Sequence, residues 1–118
     1  MIQSFRDLEV YKRSFEGAVE MYHLTKGYPR DELYGLVSQI KRAATSIPLN
    51  IAEGYGKRQN ADDFKRFLLM AIGSCNEMRV LMDLSARLDF ITKEMRDKYE
   101  REYDEIGKML TSLRQRWK

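Results

Sequence analysis

The sequence predicts an all-α protein, an up-and-down antiparallel four-helix bundle, with residues 1–118 as a single domain. Three observations lead there. Apolar residues recur at spacings of three and four in four successive segments, glycine, proline or capping residues separate the segments, and no run shows strand-like alternation. A chain of 118 residues can enclose one core but not two. With 43% hydrophobic and 33% charged residues, its composition is that of a compact soluble domain rather than a disordered chain.

The first helix is predicted over Arg6 to Lys26, with Leu8, Tyr11, Phe15, Val19 and Tyr22 on its buried face. Gly27 can close it, and Pro29 disfavours helix at the preceding residue. The second carries Leu33, Leu36, Ile40, Ala44, Ile47 and Ile51 inward, with Asp31 and Glu32 in its first turn and Gly54 and Gly56 at its end. Pro48 lies inside this helix, removes one hydrogen bond and crowds the carbonyl of Ala44, so a kink or local opening is expected there. Asn60 caps the third helix, whose core face is Phe64, Phe67, Leu68, Ala71, Cys75, Met78, Met82 and Ser85. After a loop at Leu88–Ile91, Thr92 caps the fourth, which carries Met95, Tyr99, Tyr103, Ile106, Leu110, Leu113 and Trp117. Loops this short make consecutive helices antiparallel neighbours.

Several chemistries find no support. No apolar run approaches the ~20 residues of a membrane span, and the amino terminus lacks the regions of a signal peptide. One cysteine, Cys75, excludes an intramolecular disulfide and fits a reducing compartment, so the protein is read as cytoplasmic. A di-iron bundle needs two Glu-x-x-His pairs, and His23 is the only histidine. The turn Gly54-Tyr55-Gly56-Lys57-Arg58 has neither the glycine spacing nor the hydroxyl residue of a phosphate loop, and it follows a helix rather than a strand. His23 is read as flanking the apolar stripe and Cys75 as a small apolar filler. No cofactor, metal or small-molecule substrate is expected.

Three further patterns concern surfaces. Gln39, Arg42, Ser46, Asn50, Glu53 and Lys57 fall within about a quarter-turn beside the apolar face of helix two. Ser and Asn are poor mid-helix residues unless they bond something, so this ridge is read as a polar network. On helix three, Leu69, Gly73, Val80 and Leu84 lie opposite the core stripe, which suggests a second buried face, and Leu49 on helix two also points outward. Self-association through these residues is expected, with Gly73 allowing close approach. The net charge of +3 is mildly basic. The groups placed to meet phosphates are Lys41, Arg42, Lys57, Arg58, Lys65 and Arg66, with Arg114, Arg116 and Lys118 at the carboxyl end.

The segments FRDLEVYKRS, YPRDELYGLVSQIKRAATSIPLNIAEGYGKR and DFKRFLLMAIGSCNEM resemble the bacterial four-helix-bundle family of 23S rRNA-intervening-sequence proteins. The resemblance spans about residues 5 to 115. Its pattern covers Gln39, Arg42, Ser46, Pro48, Asn50, Glu53, Gly54, Gly73, Ser74 and Glu77, and departs mildly at Leu49 and at Cys75-Asn76. It implies a homo-oligomer, a pentamer, without known enzymatic activity. The family is similar to basic accessory proteins of diversity-generating retroelements, which act with a reverse transcriptase and RNA. Ser74 and Glu77 thereby join Gln39, Ser46, Asn50 and Glu53 in the expected polar network. The expectation is a non-enzymatic oligomeric scaffold binding structured RNA or a ribonucleoprotein through Lys41, Arg42, Lys57 and Arg58. The alternative is a protein-only interaction module or accessory subunit with no direct nucleic-acid role. A third reading is an enzyme using Ser46, Asn50, Glu53, Ser74 and Glu77.

Overall fold

A computed structural model describes residues 1–118 and contains four α-helices and no strand. They are α1 (Glu9–Thr25), α2 (Leu36–Gly56), α3 (Ala61–Arg87) and α4 (Lys93–Arg116). Cross-helix pairs fix the antiparallel register, because one residue number falls as the other rises. Between α2 and α3, Ser46 meets Ser74 and Gly54 meets Phe67. Between α3 and α4, Arg79 pairs with Glu100 and Arg96 with Asp83. Between α1 and α4, Arg13 pairs with Glu102 and Lys98 with Glu20. The resulting body measures 44 × 23 × 22 Å.

The helix ends follow local hydrogen-bond chemistry. Ser4 and Asp7 form a reciprocal capping box around a 3-10 turn at Phe5–Asp7, and Leu8 is then extended. This separate turn is why α1 begins at Glu9 rather than at Arg6. Asp31 and Glu32 likewise fall in a 3-10 turn, Arg30–Glu32, ahead of α2. From there a Glu32 carboxylate oxygen accepts from the Leu36 amide at 3.2 Å, satisfying a donor of the first turn. The Asn60 side chain accepts from the amides of Asp62 and Asp63, and the Thr92 hydroxyl from that of Met95, as the capping pattern predicts. α3 closes without glycine: Asp89 adopts φ 64°, its amide donates to Ala86, and the Phe90 amide donates to Ser85 at 2.8 Å. These are the two bonds of a Schellman cap, and Phe90 then packs on Tyr28. α2 passes through Pro48 as one continuous helix.

The core stripes of α2, α3 and α4 are largely those predicted. Ile40, Ile47, Ile51, Phe64, Leu68, Met78, Met82, Tyr103, Ile106 and Leu110 are fully enclosed. Leu33 is an exception, lying exposed in the turn before α2.

α1 departs from its prediction by about a quarter-turn. Its buried residues are Val10, Ser14, Gly17, Ala18, Met21 and Thr25, whereas Phe15, Val19 and Tyr22 are 47%, 40% and 44% exposed. The inward residues are small because α4 brings a tyrosine to this seam: a Cβ on Gly17 would lie 3.1 Å from the Tyr103 hydroxyl oxygen. That hydroxyl is buried without a hydrogen-bond partner. The aromatic stripe of α1 is therefore a surface feature.

α2 and α3 approach most closely at Gly54. A Cβ there would lie 2.6 Å from Cβ of Phe67 and 3.0 Å from the Phe64 ring, so Gly54 admits the neighbouring helix instead of ending its own. Gly56, two residues on, has open space. Gly54→Ala is expected to lower unfolding free energy by about 1–3 kcal/mol through overpacking. Gly56→Ala should be neutral or raise it by up to about 1 kcal/mol through helix propensity. Urea unfolding of the two variants checks the contrast.

Candidate nucleic-acid interface and assembly surfaces

Antiparallel packing brings the end of α2, the start of α3 and the end of α4 together, and with them the basic residues of those three segments. Lys57 and Arg66 both lie over the Phe67 ring, at 4.9 and 4.6 Å from its centroid. Arg58 stacks on Tyr55 at 4.1 Å and donates to the Tyr55 carbonyl. Tyr55 meets Phe64 edge-on, and Phe64 meets Trp117 in the same way at 4.6 Å. The Arg114 guanidinium reaches the Lys65 carbonyl at 3.3 Å. Aromatic rings at this end of the bundle thus hold Lys57, Arg58 and Arg66, with Arg114 of α4 beside them on the Lys65 carbonyl.

Carboxylates neutralise part of this end. Glu53 lies 3.8 Å from Lys57 and Asp63 lies 3.7 Å from Arg66. Both pairs are exposed and worth little against solvent. Arg58, Lys65, Arg114, Arg116 and Lys118 have no carboxylate partner within ion-pair distance. Lys41 and Arg42 sit apart, roughly 24 Å back along α2 at 1.5 Å per residue. Lys41 rests on the Tyr22 ring at 4.8 Å, and Arg42 is exposed and unpaired.

Of the polar ridge, the structure joins Ser46, Ser74 and Asn50. The Ser46 hydroxyl lies 2.5 Å from that of Ser74, and the Asn50 amide donates to the Ser46 carbonyl at 2.8 Å. The single Ser46 hydroxyl proton is shared between Ser74 and the Ala43 carbonyl at 2.8 Å, while the Ser74 hydroxyl donates to the Met70 carbonyl within α3. With Thr45 bonding to the Lys41 carbonyl, three side chains near Pro48 hydrogen-bond to carbonyls of their own helix. Gln39, Glu53 and Glu77 are exposed and make no hydrogen bond to this group.

Two apolar surfaces flank the ridge. On the back of α3, Leu69, Val80 and Leu84 are exposed beside the open position of Gly73, and Met70 adds to the same face. On the other side, α1 and α2 enclose a groove of about 550 Å³ lined by Phe15, Val19, Tyr22, Thr45, Pro48 and Leu49. The sequence pattern contained this groove but assigned its α1 wall to the core. His23 lies exposed at the groove's edge.

No group of three or more His, Cys, Asp or Glu side chains is arranged to hold a metal ion. No helix is long and apolar enough to cross a membrane. Cys75 is fully enclosed in the core stripe of α3.

An all-α bundle with a basic end, two apolar surfaces and an interhelical serine pair defines a class of small helical domains rather than a reaction. The chain belongs to the 23S rRNA-intervening sequence protein family, which matches residues 6–112. It is similar to a crystal structure from Bacteroides thetaiotaomicron, described as a protein with unknown function from the S23 ribosomal protein family. The two share 31% identity over 90% of this chain and 95% of that one, with a TM-score of 0.81. No curated protein matches the chain.

Burial pushes the Cys75 thiol up from 9.0 to about 12. Between those values the unfolded chain releases its proton while the folded chain keeps it. Stability is therefore fully present below about pH 9 and falls as pH rises, by about 1.4 kcal/mol per pH unit from this group. Cys75→Ala lacks that contribution, so the stability advantage of the wild type over it should shrink between about pH 8 and about pH 10.5. Urea unfolding of both proteins at the two pH values reads the difference.

Proposed function

We propose that this protein is a non-enzymatic oligomeric scaffold that binds structured RNA through its basic end. The observation that carries the reading is that Lys57, Arg58 and Arg66 stack on aromatic rings at one end of the bundle, where the Arg114 guanidinium of α4 also reaches the Lys65 carbonyl. Cations stacked on packed aromatic rings hold their positions without further ordering, and phosphates are what such a surface meets. Stacked guanidinium groups such as Arg58 retain donors directed outward. The contact is electrostatic with little base readout, because a deep, narrow major groove keeps side chains from the base edges of duplex RNA. Lys41 and Arg42 form a second contact for an RNA long enough to cover both places.

Assembly multiplies a modest charge. Each copy carries a formal +3, and several copies around an axis present that field repeatedly. The family resemblance favours five copies. In this reading Ser46, Asn50 and Ser74 hold α2 against α3 and have no catalytic role, and the protein resides in the cytoplasm.

Fluorescence anisotropy with a structured RNA, at salt from about 50 to 200 mM, tests the proposal. Affinity should fall steeply with salt, each phosphate contact adding roughly 0.7–0.9 to the log–log slope. Arg58→Ser with Arg114→Ser should weaken binding severalfold and reduce the slope by about two. Lys41→Ser with Arg42→Ser should change it less. Absence of binding by an assembled wild-type protein, or binding indifferent to salt, would sink the RNA role and leave a protein-only interaction module.

A further inference from the structure

The groove between α1 and α2 and the back of α3 are both uncovered, and they differ in shape. The groove is concave, with Phe15, Val19 and Tyr22 on one wall, Leu49 on the other and Pro48 and Thr45 between them. The α3 face is a single helical ridge on which Leu69, Gly73, Val80 and Leu84 follow at steps of four, seven and four. Beyond α3's own backbone and the flanking residues, the place where a Cβ on Gly73 would stand is open space, which leaves a notch in the ridge. Ridges of one helix pack into grooves of others, whereas two concave surfaces cannot interdigitate. Tyr11 to Tyr22 spans roughly 16 Å along α1 and Leu69 to Leu84 roughly 22 Å along α3, so the two surfaces are of comparable length.

The areas also match what a stable contact needs. At 150–250 Å² per large side chain, the exposed fractions of Phe15, Val19, Tyr22 and Leu49 amount to roughly 350 Å². Those of Leu69, Met70, Val80 and Leu84 come to about the same. Joining one surface to the other removes about 700 Å² of apolar area. At the ~57% apolar share of ordinary interfaces this corresponds to about 1,200 Å² in total, within the range of specific association. Within one chain the two surfaces cannot meet, since α1 and α3 make no direct packing contact and lie diagonally across the bundle.

We infer that a second copy of this chain covers the groove, laying its α3 ridge between α1 and α2 of the first. The inference rests on the oligomeric reading above and specifies its geometry. The contact is heterologous: the first pairing leaves one groove and one ridge free, so assembly continues beyond a dimer, into a ring where the rotation between copies closes and a filament where it does not.

The arrangement is tested with Val19→Glu, which blocks the groove, and Val80→Glu, which blocks the ridge. Both positions are exposed, and circular dichroism with thermal unfolding should show each variant folded as the wild type is. Light scattering is expected to give an oligomer for the wild type, a monomer for each variant alone, and a one-to-one dimer that grows no further when the variants are mixed. Leu49→Ser and Leu69→Ser, as a milder second pair, should repeat the pattern. A monomeric wild type at micromolar concentration would overturn this inference and the oligomeric reading together. An oligomeric wild type whose folded variants still assemble alone, or give no dimer on mixing, would overturn this inference only.

Discussion

The contact on which the bundle depends is the close approach of α2 and α3 at Gly54. With no side chain there, the α2 backbone comes against Phe64 and Phe67, the first aromatic residues of the third helix. The same seam carries Ala43 and Ala71 in the core and the Ser46–Ser74 hydrogen bond at its edge. Small residues let the helices draw together, and close packing makes the position of every neighbour consequential. α1 lies on the α2 side of this pair and α4 on the α3 side. Because the aromatic rings that meet Gly54 also carry Trp117 and the stacked cations, the basic end takes its shape from this glycine.

Electrostatic pairs play a different part. α4 is flanked on both sides by charges reaching across to its neighbours, with Glu102 and Lys98 toward α1 and Glu100 and Arg96 toward α3. Partly exposed pairs of this kind contribute little stability each. Their number on both flanks instead penalises sliding of α4 by a turn, since a shift would bring like charges opposite one another. The apolar stripe from Tyr99 to Leu110 supplies the burial, and the flanking charges select its register.

The fold was legible wherever the largest apolar side chains were also the buried ones. That holds for α3, where Phe64, Leu68, Met78 and Met82 repeat without ambiguity, and for α4 from Tyr99 to Leu110. In α1 size and burial part company. Ser14, Gly17 and Ala18 turn inward, while aromatic and branched residues turn outward, and a pattern weighted by hydrophobicity selects the wrong side. The signal that could have corrected it was the line of small residues Ser14, Ala18 and Thr25, spaced to face a bulky partner such as Tyr103. The Schellman cap after α3 was hidden for a similar reason, since Asp89 occupies the position where glycine is commonest. On the site side, Ser46 was readable from the poor fit of serine to a helix interior, whereas Ser74 entered only through the family resemblance. That Arg114 would reach the Lys65 carbonyl was not readable, because only the antiparallel return of α4 brings them together.

The inward face of α1 has a consequence for how this chain holds itself together. Val10 and Met21 are the only large apolar side chains of α1 that are fully buried, with Tyr11 and Leu24 half-buried against the core, and the Tyr103 hydroxyl facing Gly17 is left without a partner. Helices with little buried apolar surface open at lower free energy than the rest of a domain. α1 is thus the segment whose amides should exchange with solvent first. If neighbouring copies cover its aromatic side, protein concentration becomes a folding variable for this one helix, and dilution loosens α1 before it disturbs the α2–α3 pair.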